Sequence, residues 1–96
     1  MSYYANAEQR KRLAAGLRAL AEFIESSPDA PVPVTADVLV FPANGTREQM
    51  CAEIDAIADL ISAETRWTVG DHYCVSRHFG PVEYRVVAIP SKSDRE

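Results

Sequence analysis

The chain has 96 residues, enough for one domain and no more. Its 47% apolar and 25% charged content is that of an ordinary globular protein, which excludes the disordered and fibrous classes. Ten Lys and Arg against fourteen Asp and Glu give a formal net charge of −4, which argues against a dedicated nucleic-acid binder, and two cysteines are too few for a disulfide framework.

No apolar run approaches the ~20 residues of a membrane span. The expectation is a cytoplasmic protein in one domain, residues 1–96, ending in an all-polar tail over 91–96. The N-terminus carries no signal-peptide pattern, because Arg10-Lys11-Arg12 lead into an amphipathic stretch instead of a continuous apolar one. No internal repeat or low-complexity tract is present.

The first element is a helix over about residues 7–26. Leu13, Leu17, Leu20 and Ile24 recur at steps of four, three and four, with Ala14 and Phe23 widening the stripe. Asn6 followed by Gln9 provides a start, since an Asn side chain accepts from the free N–H groups of a first turn. Gly16 in mid-helix is either a neutral surface position or a point where another backbone approaches closely. Pro28 ends the helix, and Pro28, Pro31 and Pro33 form a rigid connector.

A strand is expected at about Val34–Phe41. Val38-Leu39-Val40-Phe41 is apolar at every position, which predicts a central strand or one covered on both faces. Turn chemistry at Pro42-Ala43-Asn44-Gly45 closes it. Thr46 and Gln49 form a capping box, and Met50, Ile54, Ile57 and Ile61 carry a second helix over about 47–63, with Asp55, Asp59 and Glu64 toward water.

After that helix the period changes from 3.6 to 2. A short strand at 66–69 is possible, and His72–Phe79 and Val82–Ile89 alternate as two antiparallel strands. Gly80-Pro81 between them suits a type II′ turn, with glycine at the position that needs positive φ. That turn fixes the register. Tyr73, Val75, Arg77 and Phe79 share an apolar face with Val82, Tyr84, Val86 and Ala88. The opposite face sets Cys74 across from Val87, Ser76 from Arg85, and His78 from Glu83. The fold class is therefore α+β: a two-layer sandwich with two helices on one face of a small, mainly antiparallel sheet, in the order α-β-α-β-β with an optional extra strand at 66–69.

No catalytic motif and no phosphate-binding glycine loop occurs, and Gly16, Gly45, Gly70 and Gly80 are scattered. His72, Cys74 and His78 have metal-binding chemistry, yet at ~3.3 Å per residue His78 lies about 20 Å from His72 along a straight strand. His72 and Cys74 are about 7 Å apart on that spacing, beyond hydrogen-bond reach for a nucleophilic pair. Cys51 reads as a small buried apolar residue. His78 across from Glu83 is an acid–base pair in form, and a modest cross-strand contact in the simpler reading. The expectation is no enzyme, with no catalytic residue, metal site or cofactor.

The string Arg77-His78-Phe79-Gly80-Pro81-Val82-Glu83-Tyr84-Arg85-Val86-Val87-Ala88-Ile89 resembles the C-terminal end of small uncharacterised proteins of actinobacteria and their phages. The segment from Leu13 to Phe23, with Pro28 and Pro31-Val32-Pro33 after it, is similar to their N-terminal end. The resemblance spans about residues 11–90 and brings no catalytic residue. It implies a cytoplasmic accessory protein, associated with a phage or mobile element. The expected function is a non-enzymatic interaction module that binds a protein partner or a second copy, as a homodimer, through Cys74, Ser76, His78, Glu83, Arg85 and Val87. The alternative is a regulator touching nucleic acid through Arg10, Lys11, Arg12 and Arg18, against which the acidic balance counts.

Overall fold

A computed structural model describes residues 4–42 and 45–90. The expected tail at 91–96 and Ala43 and Asn44 of the expected turn lie outside the described residues. The chain divides into two compact units, residues 4–34 and 35–90 of those described. In chain order the elements are α1 (Ala7–Ser26), β1 (Ala36–Val40), α2 (Arg47–Ile61), β2 (Thr65–Thr68), β3 (His72–Phe79) and β4 (Val82–Ala88). The α+β class and the element order are as expected, and the optional strand is present as β2.

The first unit is α1 with its connector. Asn6 Oδ1 accepts from the Gln9 N–H at 2.8 Å, and Gln9 Oε1 accepts from the Asn6 N–H at 2.9 Å, so both halves of a capping box are made. The helix ends at Ser26, with Ser27 as its cap and Pro28 following. None of its residues is buried. Leu13, Leu17, Leu20 and Phe23 are each about half exposed, at 54, 46, 51 and 51%.

The second unit is a four-stranded mixed sheet in the order β1-β4-β3-β2 with α2 on one face. β2 with β3 and β3 with β4 are antiparallel, and β1 with β4 is parallel. β1, α2 and β2 therefore make a crossover that skips two strands, later filled by the β3–β4 hairpin. This overturns the expectation of a central first strand. β1 lies at the sheet's edge, and Leu39 and Phe41 stay half exposed.

The β3–β4 register matches the expected one at every pair from Tyr73↔Ala88 to Phe79↔Val82. Gly80 has φ of 60°, in the left-handed region that the turn demands. The apolar side faces α2: Val75, Val86, Ala88, Met50, Ile54 and Ala58 form the core, with Ile54, Val75, Val86 and Ala88 fully buried. α2 starts at a Thr46–Gln49 capping box, with bonds of 3.1 and 2.9 Å, and ends with Ser62 in the left-handed region.

Candidate functional site

The face of the sheet turned away from α2 carries all six residues singled out for partner binding. Alternation along β3 places Cys74, Ser76 and His78 on it, and alternation along β4 places Glu83, Arg85 and Val87. The parallel register of β1 adds Asp37 beside Glu83 and Leu39 beside Arg85. β2 adds Arg66 beside Cys74.

This face is not simply wet. Cys74 is 1% exposed and Val87 7%. The two side chains floor a shallow hollow of about 200 Å³. Its rim is apolar, made by Leu39, Phe41 and Ile89, each about half exposed, together with Arg85, His72 and Thr68. The rim residues were missed in the sequence because a face assignment for β1 requires knowing that it pairs with β4. The i, i+2 spacing of Leu39 and Phe41, repeated by Val87 and Ile89, is the signal that marks them once that pairing is known.

Beside the hollow lies a charged knot on Glu83, which is 8% exposed. Arg85 donates to both carboxylate oxygens, Nη2 to Oε1 at 2.6 Å and Nε to Oε2 at 3.3 Å. Residues two apart on a strand share a face, so the fork and the carboxylate, both on β4, meet without a bend in the strand. Arg66 Nη2 stands 3.7 Å from Oε2 and His78 Nε2 3.6 Å. Arg66 had no place in the expected site, because its cross-sheet approach depends on the β2 register. The Arg85 fork, and after it the Ser76 hydroxyl, hold the Glu83 carboxyl well below the usual range, at about 2. Ser76 Oγ is buried against this group without a hydrogen bond of regular geometry. Glu83 reciprocally raises the Arg85 guanidinium.

Pairing of β3 with β2 stops at Val75, so the outer edge of Ser76–Phe79 carries no strand among the described residues. An open hollow of about 480 Å³ lies there, lined by Leu60, Ser62, Ala63, Ser76, Arg77 and His78. The six expected residues thus share one face, and five of them serve two hollows: Cys74, Arg85 and Val87 the apolar one, Ser76 and His78 the edge one, with Glu83 in the charged knot beside them.

On the α2 side lies a polar and aromatic brace. Arg47 Nη1 donates to Asp71 Oδ2 at 3.0 Å and its guanidinium lies 4.7 Å from the Trp67 ring centroid. Trp67 and Tyr73 have centroids 4.7 Å apart, and the Tyr73 hydroxyl donates to Asp55 at 2.5 Å. Cys51 beside this brace is half-buried instead of fully buried, and burial pushes its thiol pKa up, away from nucleophilic character.

Among the described residues no group of three or more His, Cys, Asp or Glu side chains is placed to hold a metal ion. No described helix is long and apolar enough to cross a membrane. The basic side chains of α1, Arg10, Lys11, Arg12 and Arg18, are all exposed, and Arg12 pairs with Glu8 at 3.5 Å. No family model matches the chain, and neither does any curated protein or solved structure.

Proposed function

We propose that the chain is a non-enzymatic interaction module of the cytoplasm, whose open sheet face binds a protein partner. The observation that carries this reading is the apolar hollow floored by Cys74 and Val87, where Leu39, Phe41 and Ile89 leave half their surface to water around a desolvated floor. About 200 Å³ suits one apolar side chain of a partner, and Arg85 at the rim adds a polar contact for orientation. The charged groups on this face are engaged with one another: Glu83 is held ionised by Arg85, and Cys74 is too buried to attack a substrate. That supports recognition over catalysis. The resemblance to actinobacterial and phage proteins supports a partner from a phage or its host.

The test compares the whole chain with a Leu39→Asp/Phe41→Asp variant in affinity capture from such a host. A protein retained by the first and lost by the second is the expected result. Retention of the same proteins by both would overturn the reading. The alternative contact with nucleic acid through Arg10, Lys11, Arg12 and Arg18 has its own check, since phosphate contacts weaken steeply with salt. Absence of binding in low salt removes it.

A further inference from the structure

The stripe of α1 and its charges point to a second copy of the same helix. In heptad terms Leu17 and Ile24 occupy a, and Leu13 and Leu20 occupy d, a seam of two heptads that its own unit leaves exposed. The charges beside this seam run against the helix. Residues 8–18 carry Arg10, Lys11, Arg12 and Arg18 against Glu8 alone, while 22–29 carry Glu22, Glu25 and Asp29 and no cation. A helix dipole favours the reverse, with anions at the start and cations at the end. The last turn of α1 holds no basic residue.

We propose that two copies of the chain associate by pairing their α1 helices antiparallel. In that arrangement the cationic start of each helix lies along the anionic end of the other, and each dipole is set against its opposite. Leu13 meets the other copy's Ile24, and Leu17 meets its Leu20. The flanking positions fit the same centre. Phe23 falls against the second copy's Gly16, where no atom lies within 4 Å of an added Cβ, and Ala14 falls against its Ala21. A large side chain over a glycine, with small residues on the opposite flank, lets the helices approach closely. A parallel pair offers none of this: it brings the two cationic starts together at one end and the two anionic ends together at the other. Antiparallel pairing sets Lys11 on the same flank as the second copy's Glu25, twice per dimer, and the same register sets Arg18 across from the second copy's Arg18 at the centre.

Sedimentation equilibrium of the whole chain across a concentration series tests the proposal. The expected weight-average mass rises from that of one chain toward that of two. Leu17→Glu/Leu20→Glu holds it at one chain; because α1 buries no residue, the sheet unit keeps its fold, as near-UV circular dichroism will report. Glu25→Lys weakens the pair by roughly two- to thirty-fold, the worth of two exposed ion pairs. Lys11→Glu/Glu25→Lys restores it. A strict monomer at every concentration overturns the proposal, as does a dimer that survives Leu17→Glu/Leu20→Glu. A double charge swap that fails to restore what Glu25→Lys lost overturns the antiparallel direction. None of these changes touches Leu39 or Phe41, so the sheet-face reading stands or falls separately.

Discussion

Glu83 is the residue at which the sheet's open face is most exposed to acid. Its folded pKa, about 2, lies below its ordinary value of 4.5, so the folded state binds the proton more weakly than the unfolded chain. The ionised Glu83 therefore contributes stability that is fully present above about pH 4.5 and is lost as pH falls toward 2. Glu83→Gln removes the charge and leaves Arg85 and Arg66 facing an amide. Charge-assisted bonds of this kind are worth about 1.5–3 kcal/mol, and that is the expected loss at neutral pH. Urea unfolding of both proteins from pH 7 to pH 2 checks the sign: the gap between them closes as acid is added. A gap that stays constant or widens would show that Arg85 does not hold the carboxylate. Gly80 is a residue of a different kind. At φ of 60° an alanine would be strained, and nothing lies within 4 Å of the added Cβ. Gly80→Ala is expected to cost about 1–2 kcal/mol through the backbone alone, read as a lower urea midpoint with an unchanged slope.

At the scale of elements, what could be read from the sequence was whatever is encoded locally. The two capping boxes, Asn6–Gln9 and Thr46–Gln49, sit where their side chains say. The β3–β4 register follows from one glycine–proline corner, because a two-residue turn leaves no freedom in the pairs beyond it. β1 was misplaced for the converse reason. Its run of apolar residues is equally compatible with a covered central strand and with an edge strand whose outer side chains rim a hollow, and only the crossover to β4 decides. The same gap hid Leu39 and Phe41 from the candidate site, and the unknown register of β2 hid Arg66. The two caps also give a contrast that can be measured. Thr46→Ala loosens α2, whose Met50, Ile54 and Ala58 form the core, and should lower the stability of the sheet unit by about 1 kcal/mol. Asn6→Ala loosens α1, which buries nothing, and should reduce helix content without moving that transition. Within α2, Ile54→Ala at a position of zero exposure should cost 2–5 kcal/mol, which sets the scale for the first comparison.

For the whole molecule the two units differ in what holds them. Every member of the core, from Val40 to Ala88, lies in the sheet unit. α1 contributes none, and its charges oppose its dipole. Most helix stability in proteins comes from packing an amphipathic face, and α1 buries none of its residues. The consequence is that residues 35–96 should fold without the first 34. Their unfolding is expected to be cooperative and to fall within about 0.5 kcal/mol of the same transition in the whole chain, the range of a change that touches no buried group. The peptide of residues 1–34 should lose most of its helix when dilute and regain it as its concentration rises, since pairing then supplies the burial and the opposing charges that the single helix lacks. Circular dichroism of both pieces against the whole chain measures this directly. If the shortened chain showed no near-UV signal, α1 would have to supply packing to the sheet, and the exposed seam from Leu13 to Ile24 would belong to the core of the protein instead of to a second copy.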